Sequence, residues 1–247
     1  MFERAHHRRI AKVLLALDAE RLRGLQCWFG GGTAIALRHG EYRESVDIDF
    51  LVSDADGYRQ LRQQLAGAAG VDTLLRAGAV PLALARDIRI DQYGIRTALL
   101  VDDVPIKFEI VREGRIALAQ PAARDAVCGI SSLATTDQAA SKLLANSDRW
   151  RDDSVFSRDA IDLSMLDLPP RHLRPAVDKA RQAYGDAVVE DMRRALDGLR
   201  DRSGHLERCM RALSMRMSAA ALQQRLRVLR RRLEAVATGS ATNDRRH

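Results

Sequence analysis

The sequence predicts an α+β chain, with a mixed sheet and flanking helices over residues 1–130 and a helical domain over 131–237. Two changes of pattern predict this. Up to about residue 130, apolar positions recur both at the period of two of a half-buried strand and at the 3.6 of a helix, with glycine breaks between them. From Thr136 onward only the helical period remains. Size agrees: 247 residues, 46% apolar and 30% charged, fill one large domain or two small ones and bury a core, which excludes wholesale disorder.

The elements follow in order. Residues 3–23 place Ile10, Val13, Leu14, Leu17 and Leu22 at helical spacing. A short strand, QCWFG, runs into Gly30-Gly31-Gly32-Thr33, and TAIALRHG reads as a helix closed by Gly40. In SVDIDFLVS, Val46, Ile48 and Phe50 alternate with Asp47 and Asp49, which predicts a strand with the three apolar residues in the core. Residues 55–68 read as helix. The strand period returns from Ile88 to Val111 in DIRIDQYGI, RTALLVDD and PIKFEIV, with turns near Gly94 and at Asp103-Val104-Pro105. GRIAL, residues 114–118, adds another short strand. DQAASKLLANSDR follows an N-cap signal at Thr135 or Thr136, and SRDAIDLSML ends at Pro169-Pro170. Three or four more helices reach about residue 236, and 238–247 reads as a disordered tail.

Composition narrows the class. No apolar run approaches the roughly 18 residues of a membrane span, and no uninterrupted h-region follows MFERAHHRRIAK, so neither a membrane anchor nor a secretory signal is expected. Three widely spaced cysteines, Cys27, Cys128 and Cys209, exclude a disulfide framework or zinc knuckle and fit a reducing cytoplasm; the histidines have no metal-ligand spacing. Forty cations against thirty-three anions give +7. Only four of those cations, Lys12, Lys107, Lys142 and Lys179, are lysine. A GC-rich genome and affinity for a polyanion both produce such an arginine excess.

The strongest constellation is GGGTAIALRHGEYRESVDIDF, residues 30–50. Asp47 and Asp49, at i and i+2 of a strand, share a face about 7 Å apart at the backbone. Like charges so close repel, and a divalent cation between them is the usual remedy. Upstream, a glycine turn opens a helix whose backbone N–H groups and dipole suit phosphate. A phosphate cradle beside a carboxylate pair is what phosphoryl or nucleotidyl transfer requires. Either element alone also reads as a plain turn or as solvent-facing aspartates; it is the ordered pair that points to chemistry. Ser45, two residues before Asp47, either donates to phosphate or satisfies a strand end.

These residues resemble the AbiEii/AbiGii-type nucleotidyltransferase toxins of the DNA polymerase β-like superfamily: GG-T-A-I-A-L, then R-E-S-V-D-I-D-F, and later SKLLANSDRWRDDSVFSRDAIDLSML. The resemblance covers about residues 29–53 and 137–166. It implies a polymerase β-like mixed sheet with flanking helices, a third carboxylate on a neighbouring strand, and a helical part carrying a lysine and further acidic residues. Glu109 in PIKFEIV is the candidate third carboxylate and metal ligand, since Ile106, Phe108 and Ile110 alternate against Lys107 and Glu109; Asp91, Asp102 and Asp103 are rivals near turns. Lys142 is the candidate lysine, a compact point charge for a triphosphate. Asp148, Arg149 and Asp159 either orient that lysine, contact base or acceptor, or form a salt bridge between helices.

The expected enzyme is thus a nucleotidyltransferase using Mg²⁺ (or Mn²⁺) and an NTP. Asp47, Asp49 and Glu109 hold metal, Gly31, Gly32, Thr33 and Ser45 bind triphosphate oxygens, and Lys142 meets the leaving pyrophosphate. The resemblance further implies a tRNA 3′ end as acceptor, a toxin–antitoxin or phage-defence setting and a cognate antitoxin. A small-molecule or protein acceptor, and a non-catalytic nucleotide-binding module, are the alternatives. In the last helix, Leu222, Leu226, Leu229 and Leu233 form a packing stripe, with Arg225, Arg227, Arg230, Arg231 and Arg232 on its solvated face or against RNA phosphate.

Overall fold

Helices α1 (Ala5–Ala16) and α2 (Ala19–Gly24) form where the sequence spaces its leucines and isoleucines, and bury Ile10, Val13, Leu14 and Leu22. Asp18 caps α2 by accepting from the N–H groups of Glu20 and Arg21. The computed structural model describes residues 2–238, and the chain divides between Ala134 and Thr135 into two compact units. Residues 239–247 of the expected tail lie outside the described residues; Thr238 ends the last helix.

The first unit is built on five strands: β1 (Trp28–Phe29), β2 (Ile48–Val52), β3 (Leu84–Ile90), β4 (Gly94–Val101) and β5 (Val104–Arg112). Their order is β1-β2-β5-β4-β3, and only β2 and β5 run parallel. Helices α3 (Gly31–Arg38) and α4 (Ala55–Leu65) precede and follow β2. One face of the sheet is core, where Phe29, Phe50 and Phe108 stack tilted with centroids 5.6 and 5.7 Å apart, among Ile48, Ile95, Ile106 and Ile110. The β4–β5 hairpin turns on Asp102 and Asp103, both at positive φ, which is what the two-residue turn demands and what aspartate tolerates. A small ladder of β6 (Ala126–Val127) and β7 (Ile130–Ser131) closes the unit.

Two local expectations fail. Val46 is not a core residue: β2 starts at Ile48, and Val46 is 48% exposed with its carbonyl accepting from His6 Nε2. GRIAL forms no strand; the chain there is irregular, and Arg115 folds back to bond Glu113 through its N–H and guanidinium.

The second unit is helical: α5 (Thr135–Arg149), α6 (Arg158–Met165), α7 (Pro170–Tyr184), α8 (Ala187–Asp201), α9 (His205–Ala212) and α10 (Ala219–Thr238). Helix α5 packs against α6, α7 and α8. Pro170 ends the run before it and takes the first turn of α7, where a missing N–H costs nothing. Leu222, Leu226, Leu229 and Leu233 of α10 are buried as the stripe predicts. Arg225 and Arg232 reach Asp167, while Arg230 pairs with Asp197 and Glu234, so part of the arginine face is committed to ion pairs.

Candidate active site

Asp47 immediately precedes β2 and Asp49 lies within it; both are half-buried, while Ile48 and Phe50, which alternate with them, are fully buried. The pleat therefore does what the alternation predicts, holding two carboxylates on the face away from the core. Helix α3 starts against this face. Its N-cap, Gly30, donates its N–H to the Asp49 carbonyl at 2.8 Å and has no side chain with which to cap the helix. The first-turn N–H groups of Gly31, Gly32 and Thr33 are thus left for an outside acceptor. Gly31 has φ +65, and a β-carbon there would fall 2.3 Å from Asp49 Oδ2. Only glycine lets the helix start this close to the carboxylate. Gly31→Ala is expected to lower stability by about 1–2 kcal/mol through the left-handed backbone alone. By displacing Asp49 it is also expected to cut transfer roughly 10²-fold. Thermal melts and kcat/KM check both; an alanine variant with wild-type kcat/KM would show that this contact is not part of the site.

The hydroxyls of Thr33 and Ser45 do not face the cradle. Thr33 is 1% exposed, and its Oγ1 lies 2.6 Å from the Asp47 carbonyl and 2.8 Å from Ser45 Oγ. A carbonyl only accepts, so the single Thr33 proton goes to Asp47 O, and the Ser45 hydroxyl supplies the proton of the second bond. In this structure the two hydroxyls fasten the segment before β2 to α3. Of the two, Thr33 retains its backbone N–H at the helix start.

That segment is also held from α1. The Ser45 N–H donates to His7 Nε2 at 3.1 Å, and His7 Nδ1 donates to Glu41 Oε1 at 2.7 Å, which fixes the neutral tautomer. Burial pushes the fully buried His7 below its ordinary value, against the pull of Glu41. Burial alone would raise Glu41, but N–H groups of Glu3 and Arg4 together with His7 hold it below the usual carboxylate range. Because His7 is depressed in the folded chain, the unfolded chain binds more protons below about pH 6.5, and stability falls with acidification from there. His205, also lowered by burial and then by Arg202, acts in the same direction. The drop in melting midpoint between pH 7.5 and 5.5 is expected to be smaller in His7→Asn; an unchanged drop would clear His7 of this role.

Across the sheet, β2 and β5 pair Asp49 with Glu109 and Ile48 with Phe108, and β4 pairs Arg96 with Glu109. Asp49, Glu109 and Arg96 therefore form one row on adjacent strands. Glu109 Oε2 accepts from Lys107 Nζ at 2.7 Å, and its Oε1 lies 3.4 Å from Arg96 Nε. Burial opposes the Lys107 charge, yet Glu109, Asp47 and Asp49 together raise its ammonium above the ordinary value. Among the described residues, no three His, Cys, Asp or Glu gather to hold a metal ion. Glu109 lies beside Asp49, and in this structure its oxygens serve two cations, Lys107 and Arg96. Lys107 and Arg96 are additions to the candidate set. Lys107 had a signal, a rare lysine two residues from Glu109 on the same pleat face; Arg96 had none, because only the β4–β5 register brings it there.

In the helical unit, Lys142 is buried, with Nζ 2.9 Å from Asp159 Oδ1 and 2.7 Å from Asp162 Oδ2. Arg149 grips Asp159 through Nε at 2.7 Å and Nη2 at 2.9 Å. Burial would raise Asp159, but Lys142 and Arg149 hold it below the usual range. The bridge between helices read as one alternative is present, joining α5 to α6. Asp148 takes no part in those bonds and accepts from the Tyr184 hydroxyl at 2.8 Å.

Two solved structures share this architecture. One is from an H. pylori protein assigned as a nucleotidyltransferase, with TM-score 0.52 and 15% identity over 95% of this chain and 94% of that one. The other is JHP933 from Helicobacter pylori, with TM-score 0.53 and 15% identity over 99% and 100%. At such identity the likeness shows the fold. No curated protein sequence matches the chain. The family model for the nucleotidyl transferase AbiEii toxin of a type IV toxin–antitoxin system matches residues 13–237, a span containing the glycine turn, both aspartates, Glu109 and the Lys142 cluster. The chain belongs to the AbiEii toxin family and is a nucleotidyltransferase.

Proposed function

We propose that this toxin transfers a nucleoside monophosphate from an NTP to the terminal hydroxyl of an RNA, with a tRNA 3′ end as acceptor. Mg²⁺ or Mn²⁺ is the metal in this reading. The reaction arrests translation in the cytoplasm, within a toxin–antitoxin or phage-defence setting, until an antitoxin opposes it. The observation that supports it most is the row Gly31, Asp49, Glu109: a helix start, a metal-type carboxylate and a second carboxylate on neighbouring elements. Net charge of +7 favours a polyanionic acceptor. Among the described residues no helix is long and apolar enough to cross a membrane.

Asp47 and Asp49 are hard oxygen donors on one face, which fits Mg²⁺: that ion takes one or two protein carboxylates and completes its shell with phosphate oxygens and water. When bound, the metal supplies charge neutralisation at the reacting phosphate. The N–H groups of Gly31, Gly32 and Thr33 hold the far phosphates. Glu109 takes the proton of the attacking hydroxyl, and Lys107 balances the carboxylates before substrate arrives. Incubation with each α-labelled NTP, Mg²⁺ or Mn²⁺ and total RNA, followed by a denaturing gel, tests the reading; label in a tRNA-sized band is expected. Label on a protein or small molecule would overturn the RNA acceptor, and NTP binding without turnover would make the chain a binding module.

A further inference from the structure

The row Gly31, Asp49, Glu109, Arg96 has a direction. In-line displacement places the attacking and leaving oxygens on opposite sides of the α-phosphorus. With the triphosphate on the start of α3, beside β2, the leaving pyrophosphate lies on the β2 side. The acceptor hydroxyl then enters from the side of Glu109 and β4. Next to Glu109 on β4 is Arg96, which also lines an open cavity of about 550 Å³.

The lining of this cavity is distinctive. Arg96, Arg112 and Arg115 line it; Asp91 and Glu109 hold the Arg96 guanidinium at 2.9 and 3.4 Å, and Glu113 holds that of Arg115 at 2.8 Å. Arg112 lies over the Tyr58 ring, its Cζ 5.9 Å from the centroid, so its charge is held in place. Tyr93 also lines it and is 66% exposed, a large aromatic ring open to solvent. Its backbone is fixed: Asp91 Oδ1 accepts from the N–H groups of Tyr93 and Gly94, and the Tyr93 carbonyl accepts from Arg112 N–H. Gln92 adds an amide that can both donate and accept. The cavity is open to solvent, whereas a small-molecule pocket is usually enclosed. Guanidiniums for phosphodiesters, an exposed ring for a base and an amide for its edge are the chemistry of single-stranded nucleic acid.

We propose that this cavity receives the unpaired nucleotides just before the reacting end of the acceptor strand, with a base stacked on Tyr93 and a phosphodiester between Arg96 and Arg112. The inference rests on the transfer reading for the direction of entry, while the binding chemistry of the cavity is testable without it.

The test uses the full chain and a 5′-fluorescein single-stranded octaribonucleotide of mixed sequence, followed by anisotropy without NTP. Binding is expected to weaken with salt at a log–log slope of about −1.4 to −2.1, two to three phosphates. Tyr93→Ala is expected to weaken binding roughly tenfold or more, and Tyr93→Trp to restore it, since any flat ring offers a stacking face. The ring is 66% exposed, so the variant is expected to fold, and NTP binding measured by calorimetry with Mn²⁺ should match wild type. A blunt duplex of the same sequence should compete poorly, because its bases are already stacked. Unchanged octamer binding in both Tyr93→Ala and Arg112→Gln overturns the proposal. So does label transferred to a protein or small molecule with kcat/KM indifferent to Tyr93→Ala. Failures separate cleanly: Tyr93-dependent octamer binding with no transfer from any NTP removes the reaction and keeps the cavity, whereas RNA labelling with an unchanged KM in Tyr93→Ala keeps the reaction and removes the cavity.

Discussion

Asp47→Asn and Asp49→Asn are each expected to lower nucleotidyl transfer by about 10³-fold or more while thermal unfolding stays cooperative and within about 0.5 kcal/mol of wild type. The two effects part because the site is overcharged on purpose. Asp47, Asp49 and Glu109 face Lys107 and Arg96, three anions against two cations, so removing one carboxylate charge relieves repulsion about as much as it weakens the hold on Lys107. Neither aspartate is fully buried, and asparagine keeps the shape of the side chain. What asparagine lacks is the charge that binds a divalent ion, worth several kcal/mol at the transition state. Calorimetric titration of Mn²⁺ should show weakened binding in both variants. Full activity in both would remove the two-aspartate site, and loss of cooperative unfolding would mean that the pair is structural instead.

How much of this was legible in the sequence depends on how far apart the partners lie. The glycine turn and the Asp47–Asp49 pair were readable because strand alternation and a helix start are local rules. That Glu109 sits beside Asp49 was readable only as a face, not as a contact: a parallel β2–β5 pairing joins residues sixty apart, and nothing local sets its register. Arg96 was invisible for the same reason. Val46 failed because alternation gives no strand ends, and here the chain joins the sheet two residues later than the pattern suggests. For Thr33 and Ser45 a motif does not say which way a hydroxyl points; here Ser45 donates to Thr33 Oγ1, which donates to the Asp47 carbonyl. Lys142 was singled out by residue type; Asp159, 17 positions away on α6, was read as able to orient it or to bridge two helices, whereas Asp162, 20 away, was seen only as an acidic residue of a motif.

Those counterions change what Lys142→Ala should do. On a solvated face the substitution would be close to neutral for folding. Here Lys142 and Arg149 balance Asp159 and Asp162, and Asp162 is fully buried. Alanine removes the ammonium that holds buried Asp162 at 2.7 Å, so a loss of about 3–5 kcal/mol is expected, enough to melt the helical unit by ten degrees or more. Lys142→Arg should also lose stability, about 1–3 kcal/mol, because a larger fork must enter a packed space that already holds one guanidinium. Lys142→Met combined with Asp162→Leu removes one charge of each sign and leaves the Arg149–Asp159 pair intact, and its melting midpoint should return close to wild type, as apolar replacements of buried pairs do. That folded double variant separates structure from chemistry. Transfer at the wild-type rate would confine Lys142 to holding α5 against α6, whereas a folded protein that binds NTP and turns over 10²-fold more slowly would give the ammonium a part in the reaction. A Lys142→Ala protein that melts with wild type would remove the buried ion cluster altogether.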